Sequence, residues 1–223
     1  MLKEIIALWK GENFMKQVVI EFGNMIGDAE YVFNNAWRAI TGQEAIDKIR
    51  KPLHDRDAAV NQHERDIRRK LLEHLSINPR QDVSGCLAIM SLVKDAERIG
   101  DYSKNIFDLA IMLQGAVKEL KYLTRLSVTQ DKIATQFPKL KKAFLESDEK
   151  LAKEILKKYG PIKEECNETL QELFADTLST KEAVATALAS RYLKRINSHV
   201  SNIASGIVLP LDKIDFVRGD LLE

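Results

Sequence analysis

The sequence predicts an all-α protein built as two tandem three-helix bundles, with six long helices running up and down. Three observations predict it. Ten glycines and five prolines in 223 residues leave long stretches without a turn former, which suits long helices rather than many short strands. Apolar residues recur at spacings of three and four along most of the chain, the period of one helix face. The order of a helix, a proline-interrupted helix and a further helix also occurs twice. At 45% hydrophobic residues the chain can bury a substantial core.

The first helix is expected from about Phe14 to Ile40, with Phe14, Val18, Phe22, Met25, Ala29, Val32, Ala36 and Ile40 on one stripe. Thr41-Gly42-Gln43-Glu44 reads as a capping box, the Thr41 side chain accepting from a free amide and Glu44 returning the bond. The second helix follows to about Leu75. Asn78-Pro79 supplies an N-cap and a proline at the first helical position, opening a third helix to about Gln114, before Gly115. The next runs from about Ala116 to Glu146, another follows Ser147-Asp148 to about Leu178, and the last opens at the S-x-x-E box Ser179-Thr180-Lys181-Glu182. Lys51-Pro52 and Gly160-Pro161 interrupt the middle helix of each half, where a missing amide and a ring clash should bend it.

Sliding the third helix onto the sixth lays residues 97–106 over 194–203, with Arg98/Arg195, Ile99/Ile196, Asn105/Asn202 and Ile106/Ile203 identical. Duplication is the expectation, with one bundle over residues 1–115 and a second, degenerate one over 116–223. Asp212 to Glu223, beyond Pro210, reads as a loosely attached tail.

Composition narrows the function. Thirty-four Lys and Arg against 33 Asp and Glu leave a net charge of +1, with no basic surplus for nucleic acid. No apolar run approaches the roughly 20 residues of a membrane span, and in MLKEIIALWKGE the apolar stretch among Lys3, Glu4 and Lys10 is too short for a signal peptide. A cytoplasmic location follows as the expectation. Cys86 and Cys166 are far apart, without a nearby Cys or His partner, and read as small core residues. The four histidines read as solvated. No Glu-x-x-His pair, P-loop, G-x-G-x-x-G or G-x-S-x-G occurs, and His63-Glu64 lacks the second histidine of a zinc-protease helix. An enzyme is not expected.

The informative positions are carboxylates where the helical period calls for an apolar residue, because burying an unpaired charge is costly. In the second helix Asp57 and Glu64 stand in line with Ile46, Ile49, Leu53, Val60, Ile67, Leu71 and Leu75, with Asn61 beside them. In the third, the stripe Val83, Leu87, Met90 gives way to Lys94, Glu97, Asp101 and Asn105 before Leu109 and Met112. Glu97 and Asp101 share a face at i and i+4, and Gly100 between them admits a neighbouring backbone. Two chemistries fit. The carboxylates converge on a cation such as Mg, Mn or Fe, or they pair with Arg65, Lys94 and Arg98.

Glu97-Arg98-Ile99-Gly100-Asp101 followed by Asn105-Ile106 resembles the PhoU family motif E-R-I-G-D-x-x-x-N-I, and Asp57-x-x-Val60-Asn61-x-x-Glu64 is similar to that family's helix-two signature. The tandem plan and the length agree, so the resemblance spans nearly the whole chain. It implies a non-catalytic cytoplasmic regulator of phosphate uptake, binding a phosphate transporter subunit or carrier and a sensor kinase. It also implies a homodimer that meets the membrane only through partners. It implies a divalent or trivalent metal (Fe, Mn, Mg or Zn) held by Glu97 and Asp101 first, Asp57 and Glu64 second, with Asn61 and Asn105 in support. In the second half Lys194 and Ser198 replace the acidic pair, with Arg191 a turn earlier, so no metal is expected there. Glu164, Glu165 and Glu168 are the expected partners of Arg191 and Lys194. Tyr102 stands where the family often has His. The alternative is a helical scaffold or partner-binding protein that has lost both the metal and the phosphate role. Trp9 is the candidate contact residue.

Overall fold

The computed structural model describes residues 13–113 and 121–215. Its helices are α1 (Asn13–Ile40), α2 (Ile46–Ile77), α3 (Val83–Leu113), α4 (Leu123–Ala134), α5 (Gln136–Glu146), α6 (Glu149–Phe174) and α7 (Thr180–Val208), followed by a 3-10 turn, Leu211–Lys213. Helices α1 to α3 pack together as one bundle and α4 to α7 as the other, α4 and α5 serving as one rod in two pieces. The bundles meet where α3 lies along α7 and α1 along α5, and their cores are continuous. Among the described residues there is no strand, and no helix is long and apolar enough to cross a membrane.

The periodicity located the inner faces of α1 and α2. Val18, Phe22, Met25, Ala29, Val32, Ala36 and Ile40 are all buried. In α2 the buried set is Ile49, Leu53, Asp57, Val60, Glu64, Ile67, Leu71 and His74. A second stripe of α1, Met15, Val19, Ile26, Phe33 and Trp37, is also buried. It faces the other bundle: Phe33 meets Phe137 with ring centroids 5.5 Å apart, and Phe22 of the first stripe reaches Phe144 as well, at 4.5 Å. Helix α3 is the most enclosed, because α1, α2 and α7 all pack on it. Its core face runs through Ile89, Leu92, Val93, Ala96, Ile99 and Ile106, whereas Val83, Leu87 and Met112 of the expected stripe are exposed.

Several boundaries differ from expectation for local reasons. Thr41 does not cap α2; its hydroxyl donates to the Trp37 carbonyl at 2.9 Å, and α2 opens after Ala45 without a side-chain cap. Gly42, at φ 68°, instead closes α1, with Gly42 N–H bonding the Ala39 carbonyl and Gln43 N–H that of Arg38. That is a Schellman ending, whose left-handed residue glycine supplies without steric cost. Asn78 terminates α2 rather than opening α3. The cap at Ser179 forms as expected, with Glu182 as a complete capping box, and Asp148 caps α6 by accepting from Leu151 N–H. Both α2 and α6 run unbroken through Pro52 and Pro161. The interruption falls at Thr135, where Pro138 cannot donate to the Ala134 carbonyl. The start of the segment expected from Ala116 lies outside the described residues, as do Trp9, Gln114 and Gly115. The nearer part of the tail is attached: Ile214 is buried and Asp215 N–H donates to Ser205 Oγ at 3.2 Å.

Candidate functional site

The seam between α2 and α3 brings the four predicted carboxylates together. Asp57 and Glu64, two turns apart, share one face of α2, and Glu97 and Asp101 share the facing strip of α3. Asp57, Glu64 and Glu97 are each about nine-tenths buried, and Asp101 is half-buried. Gly100 packs on α2: a Cβ there would lie 3.5 Å from Val60 Cγ1 and 3.7 Å from Asp57 Oδ1, ordinary contact distances. The glycine therefore marks the close approach of the two helices without being its strict requirement.

Basic side chains fill the space between the carboxylates. Lys94 Nζ lies 2.6 Å from Glu97 Oε2 and 3.9 Å from Glu64 Oε1. Lys104 Nζ lies 3.2 Å from Asp57 Oδ2 and 3.4 Å from Asp101 Oδ1. Arg68 adds a contact to Glu64 Oε1 at 3.0 Å. Neither Glu64 Oε1 nor Glu97 Oε2 has a partner in good hydrogen-bond geometry, although both lie within ion-pair reach. These contacts are therefore Coulombic more than directional. Burial pushes the Glu97 carboxyl above the usual carboxylate range, Lys94 pulls against it, and Asp101 adds to the push. For Lys104 burial pulls downward, but Asp57 and then Asp101 outweigh it and hold the ammonium above the usual lysine range.

A metal ion asks for several oxygen atoms converging at one point. Among the described residues no three His, Cys, Asp or Glu side chains do so. Each acidic pair is instead spanned by an ammonium, and the donor set in this arrangement does not fit a resident cation. Asn61 Nδ2 donates to the Asp57 carbonyl at 3.1 Å within α2. Asn105 is half-buried on α3. Of the basic partners open to the seam, Lys94 takes that part. Arg65 turns to Gln62 at 2.7 Å, and Arg98 is exposed. Lys104 and Arg68 were missed, although Lys104 lies three residues after Asp101 and Arg68 four after Glu64, both helical contact spacings.

The second half is wired differently from expectation. Lys194 donates to Asn167 Oδ1 at 2.6 Å, and Asn167 in turn donates to Glu164 at 3.2 Å. Glu165 pairs with Lys132, and Glu168 and Glu172 with Arg125 at 2.9 and 2.7 Å. Glu165, Glu168 and Glu172 of α6 thus turn to α4 rather than α7, Glu164 reaches Lys194 only through Asn167, and Arg191 is exposed.

A second polar group ties the two halves. His199 Nδ1 and Asn202 Nδ2 meet Asp95 Oδ1 at 2.7 and 2.9 Å. Tyr102 stacks on His199 with centroids 5.7 Å apart and accepts from Arg195 Nε at 3.2 Å. The histidines are therefore not uniformly solvated. His74 and His199 are buried, and His63 lies 3.4 Å from both Glu21 and Asp28; only His54 is exposed.

Comparison with known proteins agrees with this architecture. The PhoU domain family matches residues 22–110 and again 128–207, one match per half, and the chain belongs to that family. Its fold is similar to PhoU from Pseudomonas aeruginosa, at 23% identity and a TM-score of 0.78, over 87% of this chain and 95% of that one. It is also similar to the phosphate transport system regulatory protein PhoU from Streptococcus pneumoniae, at 20% identity and a TM-score of 0.72, with the same coverage. Comparison with curated proteins finds no match.

Proposed function

We propose that this chain is a non-catalytic, cytoplasmic regulator of phosphate uptake. It acts as a homodimer by docking on a phosphate transporter subunit or carrier and on the associated sensor kinase. The observation that supports this most is the match of both halves to the PhoU domain over matching positions of a duplicated fold. The S. pneumoniae protein of similar fold is titled a phosphate transport system regulator. Regulation through protein contacts is the reading that the closed acidic seam favours. Lys94 and Lys104 neutralise the acidic seam. Surfaces for partners are available: Phe174, Ile77, Met112 and Leu72 are 94%, 78%, 73% and 60% exposed.

The test is phosphate uptake in a strain lacking the protein, under phosphate limitation and phosphate excess. Uptake that differs from the parent strain in at least one condition is the expected result, and restored control on re-expression completes it. Identical uptake in both conditions overturns the proposal and leaves the scaffold alternative. Light scattering at micromolar concentration tests the dimer, which a monomeric mass would refute.

A further inference from the structure

We infer that Lys94 and Lys104 are built-in cations that close the acidic seam of the first repeat, so that this repeat is complete without a metal ion. Along α3 the order is Lys94, Glu97, Asp101, Lys104, at spacings of three, four and three, which places all four on one strip. The strip therefore reads plus, minus, minus, plus. Helix α2 offers Asp57 and Glu64 opposite. Each lysine takes one carboxylate of its own helix and one across the seam: Lys94 joins Glu97 to Glu64, and Lys104 joins Asp101 to Asp57. Two bridges of the same form sit at the two ends of the acidic pair.

The energetic logic is that of a buried charge, which must be paired or lost. A hard cation would neutralise these carboxylates by drawing their oxygens to one centre. The lysines neutralise them two at a time, entering from the solvent side with 42% and 31% of their side chains exposed. With Arg68 on Glu64, three cations answer four carboxylates. The ammonium groups occupy the positions between opposing oxygens that an ion would need, and among the described residues no three acidic side chains converge. The inference rests on this geometry alone and is independent of the role in phosphate uptake.

The experiment has two arms. In the first, the untagged full chain is purified without chelator, its metal content is measured by mass spectrometry, and its melting is followed with and without EDTA. Less than about a tenth of an equivalent of any transition metal, with melting unmoved by EDTA, is expected. About one equivalent or more, whose removal lowers the melting temperature, overturns the inference. In the second arm Lys104→Met, Asp57→Asn and the double variant are compared. Each single variant breaks the Lys104–Asp57 arm of the bridge and leaves one of its two charges in place, whereas the double removes that pair, so the loss in melting temperature should be at least partly relieved in the double. Strictly additive losses, or a Lys104→Met protein that melts with the parent, overturn it. The corresponding cycle with Lys94→Met and Glu64→Gln tests the other bridge if a variant of the first does not fold.

Discussion

Replacing Asp95 by alanine should loosen the contact between the two halves more than any single exposed substitution. Asp95 is 7% exposed on α3 and is the acceptor for His199 and Asn202 of α7, at 2.7 and 2.9 Å. Alanine leaves two donors without their acceptor where water has little access. Each such donor costs about 1–3 kcal/mol, and hydrogen bonds to a charged group are at the upper end. Removing the buried carboxylate also recovers some of its desolvation cost. The net expectation is a loss of about 2–4 kcal/mol. At roughly 2–4 °C per kcal/mol for a chain of this size, melting should fall by about 4–16 °C. Urea unfolding should show a lower midpoint with an unchanged slope, the sign that the native state alone has lost stability. A cycle with His199→Ala should give a coupling of about 0.5–3 kcal/mol. An Asp95→Ala protein within about 0.5 kcal/mol of the parent would refute the reasoning, since that is the range of an ordinary surface change.

Three other predictions follow from the packing and the ionisable groups. A Cβ at Gly206 would lie 2.6 and 2.8 Å from the two Leu92 methyls, and Leu92 is fully buried; Gly206→Ala should therefore lower stability by about 1–3 kcal/mol in chemical unfolding. Partial desolvation, with Asp95 nearby, pushes the Asp215 carboxyl up to about 6. A raised carboxyl pKa means that the folded chain holds the proton longer, so stability falls as pH rises from near 4 to near 6 and stays reduced above that. Asp215→Asn should thus melt higher than the parent at pH 7.5, with the advantage shrinking towards pH 4. The effect should be well below a full conversion of the shift, because the residue is exposed and screened. An advantage independent of pH would instead reflect only asparagine's ease at φ 73°. Burial pushes the Cys86 and Cys166 thiols up to about 11, so a thiol reagent at pH 8 should find both silent in the native protein and both reactive in denaturant.

What the sequence determined by itself is the set of properties that depend on local spacing. Helix period, the Ser179 cap, the inner stripe of α2 and the duplication are short-range patterns, each visible within one element or its repeat. The alignment of Asp57 and Glu64 with core residues was visible for the same reason: a carboxylate in an apolar stripe stands out wherever the stripe later packs. Tertiary structure decided which partners those charges meet. Lys94 and Lys104 fall between opposing carboxylates only because α2 and α3 run together at close range, and Asp95 meets His199 only because a helix of the other half lies alongside. Tertiary packing also decided that α1 and α3 bury more than one stripe. A helix shared by two bundles has little solvent face, and its polar residues can be satisfied across a contact that no local period reveals. Thr41 illustrates the limit in the other direction. Its box is a fair local signal, but Gly42 let the preceding helix claim the hydroxyl first, since a free carbonyl at a helix end competes for the same group that a new helix would use.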